Sequence, residues 1–222
     1  MTSLAHERLE LPETLQAEPI IVRDPFLEFL GLVPAGEPIA ISFPELVKAA
    51  GHVCPTVAGA YLILRHGLKA LYGSEPAVRG AVRVTAYGGP ADFGYGPIAQ
   101  VVNFVIGAAP DTGFGGLARG RFRRRDLFLF KRDDIRRNEF DFERLDTGQR
   151  VRVIYDPSII PAPSELATAI GPAITDGASA GDVARFRRLW LQRVEDILAA
   201  GYRVVNVSEA VEASHTFATQ PA

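Results

Sequence analysis

The most informative part of the 222-residue chain is GHVCPTVAGAY, which runs from Gly51 to Tyr61. Pro55 suits the first position of an α-helix, because the N–H that proline lacks would have no partner there. The apolar pattern continues to Tyr72, and Gly73 is a typical C-terminal stop. We therefore predict a helix from Pro55 to Tyr72, with Cys54 at or beside its N-cap.

His52 and Cys54 are two residues apart in the approach to this helix. In an extended segment, side chains at this spacing point the same way, so an imidazole and a thiolate can share one metal ion. Zinc and related divalent metals favour this nitrogen and sulfur combination. The positive end of the helix stabilises a thiolate, which serves metal binding and nucleophilic attack equally well. The simpler alternative is a buried cysteine at a helix start with a neighbouring histidine as a cap.

The remaining sequence predicts an α+β protein. A capping box formed by Ser42 and Glu45 opens a helix over Phe43–Ala50. Alternating or apolar patterns predict a second core helix and seven strands. The helix is expected over residues 97–106, and the strands over 19–23, 38–43, 81–87, 117–122, 127–131, 150–155 and 202–207. From residue 52 to 155 the order is helix, strand, helix and three strands, which indicates helices packed on a mixed sheet.

The chain divides into three predicted parts. Residues 1–18 form an N-terminal arm, residues 19–156 form the α+β core, and residues 157–222 form a linker, a helix and a strand that pack on the core. The C-terminal helix is amphipathic over residues 182–199. Its Trp190 favours core packing, with a homodimer interface as the alternative. Between two of the core strands, residues 132–148 are highly charged and are expected to be exposed.

Composition excludes several classes of protein. A single cysteine excludes a disulfide framework and a zinc or iron–sulfur site built from the cysteines of one chain. The net charge of −2 argues against general binding to nucleic acid or acidic membranes. No apolar run reaches the roughly 20 residues of a membrane span, and no secretory signal pattern is present. We expect a cytoplasmic protein with neither nucleic acid nor a membrane as its partner.

Residues 119–125, RGRFRRR, form a basic segment with an interleaved phenylalanine. Nearby acidic residues dilute this charge, so a strand pair with one solvated arginine face is the preferred interpretation. An anionic substrate or the acidic face of a partner is the next choice.

The motif around Cys54 resembles the opening of the FmdE family, which is named after a component of the tungsten/molybdenum formylmethanofuran dehydrogenase. Residues 103–113, NFVIGAAPDTG, are similar to that family's helix and following Thr-Gly loop. The resemblance covers residues 40–156 and implies an FmdE-like core with a metal site at His52 and Cys54. It also places Asn103 where the family has a polar helix residue facing the site.

The chain departs from the family pattern at several positions. Ala50 stands in place of the first motif histidine, and Thr56 stands in place of the glycine after Cys-Pro. The cysteine that often precedes the second helix is missing, and one cysteine cannot form the C-terminal zinc ribbon of some members. His52 and Cys54 would therefore supply only two metal ligands.

Further ligands are sought in the glycine-rich loops, because loops on a rigid scaffold commonly carry binding residues. Asp92, Asp111 and Thr112 are the candidates, and Tyr87 and Tyr95 are candidates to line the pocket. Each has the simpler role of a turn or packing residue. His66 lies 14 residues beyond His52, mostly along one helix and roughly 20 Å away, so we expect it at the surface or in a dimer interface.

Three functions remain open. The first is an FmdE-like protein that binds a divalent metal, zinc in the first instance, and a small-molecule ligand. The second is a metal-free enzyme in which Cys54 is the nucleophile or redox thiol and His52 its base. The third is an accessory or scaffold subunit of a larger complex, in which the His-x-Cys segment is structural. The sequence leaves open whether the protein is an enzyme.

Overall fold

The computed structural model describes Leu9 and residues 11–210, and within these residues the protein has an α+β fold. The helices are α1 (Pro25–Phe29), α2 (Phe43–Ala50), α3 (Pro55–Tyr72), α4 (Tyr95–Ile106), α5 (Leu166–Ile174) and α6 (Ala180–Ala200). The strands are β1 (Ile20–Arg23), β2 (Ile39–Ile41), β3 (Ala77–Val78), β4 (Val82–Ala86), β5 (Phe128–Phe130), β6 (Glu139–Arg144), β7 (Arg150–Tyr155) and β8 (Val205–Glu209). None of the described helices is long and apolar enough to span a membrane.

Two mixed sheets organise these strands. The larger has the order β5-β4-β6-β7-β8, with β4 and β5 parallel and the other pairs antiparallel. The smaller has the order β2-β1-β3, with one antiparallel and one parallel pair. The predicted α+β class with a mixed sheet is confirmed.

Helix α3 lies across the larger sheet because glycines bring its backbone close to the strands. Gly67 faces the side chains of Val153 and Phe142. Gly59 faces Tyr155, and a Cβ at Gly59 would lie 2.4 Å from Cε1 of that ring. Residues of β6 and β7 alternate between buried and partly exposed, so one face of the sheet packs against α3.

The strand predicted over residues 117–122 is wrong. Only an isolated bridge joins Leu117 and Arg121 there. Ala118, Arg119 and Phe122 have positive φ angles of 30°, 65° and 62°, which interrupt an extended chain.

The segment 132–148, predicted to be exposed, instead contains β6 in the middle of the larger sheet. Its phenylalanines Phe140 and Phe142 are fully buried, while the acidic residues between them are partly exposed. The three strands after α4 are therefore β5, β6 and β7. The predicted order of elements holds, although one of its strands was placed in the wrong segment.

The C-terminal part adds to the core. Helix α6 packs on α3, and β8 pairs with β7 at the edge of the larger sheet. The predicted linker, residues 157–180, contains α5. Of the predicted N-terminal arm, the structure describes residue 9 and residues 11–18, where Leu15 is fully buried. Residues 1–8, 10 and 211–222, which include His6 and His215, lie outside the described residues.

His66 is a core residue, contrary to the expected surface position. Its side chain is 4% exposed, and its ring stacks on Tyr202 with 3.8 Å between the ring centroids. Neither ring nitrogen has a hydrogen-bond partner among the described residues. Burial and, to a smaller extent, the positive charge of Arg65 lower the pKa of His66 to about 4.

We predict that Gly59→Ala destabilises the fold by about 1–3 kcal/mol, because the added methyl group overlaps the Tyr155 ring. Urea denaturation of wild type and variant measures the difference. Gly171→Ala in α5 is the matched control, because a Cβ there meets nothing within 4 Å. Its free energy of unfolding should stay the same or rise slightly. Equal effects of the two substitutions would show that the close approach of α3 to the sheet is not required.

We also predict that the free energy of unfolding falls as the pH is lowered from about 6.5 towards 4. In this range the unfolded chain protonates His66, whereas the folded chain keeps it neutral. The stability contributed by the neutral ring is therefore present above pH 6.5 and is lost towards pH 4. His66→Phe keeps an aromatic ring beside Tyr202 and should flatten this part of the profile. Identical slopes for wild type and variant between pH 4 and 6.5 would contradict the assignment.

Candidate functional site

The N-terminus of α3 presents His52 and Cys54. Helix α2 ends at Gly51, whose φ of 74° turns the chain away from the α2 axis. Cys54 is the N-cap of α3, with an extended backbone at φ −157° and ψ 170°. Pro55 follows at the first helical position, as predicted. The two side chains therefore approach the positive end of an 18-residue helix.

The imidazole and the thiol lie side by side. Nε2 of His52 is 3.2 Å from Sγ of Cys54. Nδ1 of the same ring is 3.0 Å from the carbonyl oxygen of Ala50, so it can donate a proton there. With Nδ1 protonated, Nε2 presents its lone pair to the sulfur. The backbone thus selects a tautomer that suits a metal ligand and a proton acceptor equally well.

Two distant elements hold this segment in place. The indole Nε1 of Trp190 on α6 donates a hydrogen bond of 2.8 Å to the carbonyl of Val53. The hydroxyl of Tyr155 on β7 donates one of 3.0 Å to the carbonyl of Pro55. Burial, with a smaller contribution from the charge of Cys54, raises the pKa of Tyr155 well above its ordinary value. Trp190 therefore buttresses the site, a role that the sequence did not indicate.

Exposure divides the pair. Cys54 is 8% exposed, whereas His52 is open to solvent. A ligand or metal ion would therefore approach from the side of the imidazole. Within the described residues, no group of three or more His, Cys, Asp or Glu side chains is arranged to hold a metal ion.

The structure does not bring Asn103, Asp111 and Thr112 to this pair. A Cβ at Gly94 would lie 2.8 Å from Cγ2 of Thr56, so the N-terminus of α4 lies beside the first turn of α3. Helix α4 has 12 residues and is about 18 Å long. Asn103 lies in its last turn, and Asp111 and Thr112 follow its C-terminus, where all three are exposed.

Asp92 and Tyr95 lie nearer, at the start of α4. Oδ2 of Asp92 accepts a hydrogen bond of 2.7 Å from the amide of Gly89, which closes its own loop. Tyr95 is fully buried, with its hydroxyl hydrogen-bonded to the carbonyl of Arg136. Both residues have the turn or packing role that was the alternative.

Tyr87 belongs to a separate polar network. Its hydroxyl donates to Oδ2 of Asp141 at 2.6 Å and accepts from Nη2 of Arg152 at 2.9 Å. Burial and the adjacent Asp141 carboxylate raise the pKa of Tyr87 to about 12. Asp141 and Arg152 alternate with Phe142 and Val153, which contact α3. The network therefore lies on the face of the sheet that points away from α3.

The basic segment is not a solvated arginine face on a strand pair. Arg124 is largely buried, and its Nη2 is 2.8 Å from Oδ1 of Asp24. Arg79 binds the other oxygen of the same carboxylate at 2.9 Å. Asp24 is 4% exposed and also caps α1 by accepting from the amide of Phe26. Part of the segment thus ties the loop after α4 to the smaller sheet.

Sequence reasoning missed Tyr155, Arg137 and Asn138 near the first turn of α3. For Tyr155 a signal existed, because it follows Val151 and Val153 at alternate positions and so shares their buried face. Arg137 and Asn138 precede β6 in a segment whose charge predicted simple exposure.

Comparison with known proteins gives one distant likeness. No protein-family model and no curated protein matches the chain. A similar solved structure is an FmdE-like protein of the tungsten formylmethanofuran dehydrogenase type from Syntrophus aciditrophicus. The two chains share 14% sequence identity over 76% of this chain and 72% of that one, with a TM-score of 0.42. This is a distant structural likeness to an FmdE-like protein, and at this TM-score it carries no argument about the site.

Proposed function

We propose that His52 and Cys54 bind a divalent metal ion, zinc in the first instance, and leave coordination positions open for a small-molecule ligand. The observation that carries this proposal is the distance of 3.2 Å between Nε2 and Sγ, with Nδ1 held by the carbonyl of Ala50. Imidazole nitrogen and thiolate sulfur are the donors that zinc prefers. A second hydrogen bond that orients the ring is typical of histidine ligands.

The spacing suits a shared ion. Zinc–sulfur and zinc–nitrogen bonds of about 2.3 and 2.0–2.1 Å at a tetrahedral angle place the two donor atoms about 3.6 Å apart. The observed 3.2 Å is a few tenths of an ångström shorter. Because His52 is exposed, its ring can make this adjustment without disturbing the core.

The described residues supply only these two ligands. Water, a small molecule or a group from another chain would complete the shell. An open shell is typical of catalytic rather than structural zinc, and the ion there polarises a bound carbonyl or lowers the pKa of a bound water. The FmdE resemblance of the motif supports the same interpretation.

Elemental analysis of protein purified without a histidine tag tests this proposal. We expect about one zinc ion per chain in wild type. His52→Ala and Cys54→Ser should each lower zinc affinity by more than roughly 100-fold, since loss of a direct ligand exceeds the effect of losing a supporting group. Asp111→Asn is the matched control and should keep its zinc. Equal metal content in wild type and Cys54→Ser would contradict the proposal.

A metal-free thiol enzyme is the second candidate, and the same hydrogen bond favours it. The proton of Cys54 would pass from Sγ to Nε2 of His52, and the resulting thiolate would attack an electrophilic carbon. Nδ1 already donates to Ala50, so the imidazolium would be held in the same orientation.

Alkylation of Cys54 by iodoacetamide separates the two candidates. If the pair binds metal, zinc should slow alkylation of wild type and a chelator should restore it. If the pair works without metal, the rate should be indifferent to both additions, and His52→Asn should slow it at neutral pH. Circular dichroism of the variant controls for folding.

A further inference from the structure

A cavity of about 170 Å³ opens beside the first turn of α3, next to Cys54. Thr56, Phe93, Arg137, Asn138 and Tyr155 contribute to its wall. Tyr155 connects this cavity to the His52–Cys54 pair, because its hydroxyl binds the carbonyl of the residue that follows Cys54.

Arg137 brings a positive charge to the cavity. Its side chain is exposed, and its guanidinium makes no ion pair within 4.0 Å with any carboxylate in the described part of the chain. It lies 5.9 Å over the ring of Phe93. Asp156, whose pKa Arg137 helps to lower, is engaged by the amide and hydroxyl of Ser158 at 2.9 and 2.5 Å. The guanidinium thus keeps its donors for a ligand.

Asn138 provides a buried carboxamide at the same wall. The residue is 7% exposed, and its side chain has no hydrogen bond to the residues that the structure describes. Its carbonyl accepts from the amide of Tyr155 at 3.0 Å, which fixes the backbone. A buried amide without a partner is unfavourable, so a ligand that binds it gains more than one that replaces water at an exposed group.

The N-terminus of α3 adds further donors. Cys54 makes no side-chain capping bond. The amides of Thr56 and Val57 donate to no acceptor in the described ranges 9 and 11–210, whereas the next amide, that of Ala58, binds the carbonyl of Cys54. Free amides at the positive end of a helix attract anions.

We propose that this cavity binds the carboxylate group of a small organic acid, which Arg137 and Asn138 hold against the first turn of α3. Arginine matches a carboxylate with two parallel hydrogen bonds, whereas a cation would meet only donors here. The volume of about 170 Å³ equals that of roughly five or six liquid waters, which suits an acid of two to four carbons. The chemical purpose of such a site rests on the proposed function, because the bound acid would present its other end to Cys54.

Titration with acetate tests the binding site independently of the metal. Calorimetry on metal-free Cys54→Ser should show saturable binding of one acetate per chain, and the neutral analogue acetamide should not bind. Arg137→Gln should weaken acetate binding by roughly tenfold, as expected for a charge-assisted hydrogen bond. Asn138→Asp should weaken it at least as much through repulsion. Aspartate tolerates the φ of 53° at this position, so the variant is expected to fold.

Arg187→Gln, which removes an exposed arginine on α6, is the matched control and should bind acetate like its parent. Acetate binding that is absent from the parent, equal to that of acetamide, or unchanged in both cavity variants would overturn the proposal. Zinc analysis of the same variants keeps the two proposals separate. Zinc retained without acetate binding rejects the carboxylate site alone, and acetate bound without zinc rejects the metal site alone.

Discussion

The contact between Tyr155 and the first turns of α3 positions the whole candidate site. The ring fills the space that the missing side chain of Gly59 leaves, and the hydroxyl binds the carbonyl of Pro55. The helix therefore has one permitted height and one permitted rotation above β7. Because Cys54 is the N-cap of that helix, its sulfur inherits this position. His52 follows through the short turn at Gly51.

Local sequence signals predicted the parts of the structure that local forces determine. The bounds of α3, Pro55–Tyr72, and of α2, Phe43–Ala50, agree with the prediction, because proline, glycine and a capping box act within one turn. The adjacency of His52 and Cys54 was also predictable, since it depends only on an extended backbone over three residues. The metal and thiol functions drawn from that adjacency stay predictions.

Long-range pairing determines the remainder. In β6, Phe140 and Phe142 alternate with acids, and the charge count of the surrounding segment obscured this period of two. Arg137 and Asn138 reach α3 only because β6 lies between β4 and β7, an order that no local pattern encodes. Arg124 appeared as part of a basic surface, yet Asp24, 100 residues earlier, draws it into the interior. These residues could be placed only after their strands had been paired.

The hydrogen bond from Trp190 to Val53 gives the protein a built-in optical reporter. The chain contains one tryptophan, and its indole N–H binds the carbonyl next to Cys54 across 137 residues of sequence. The emission of an indole depends on the polarity around it and on what its N–H binds. Fluorescence from this chain therefore arises at a single place, within one peptide unit of the thiol.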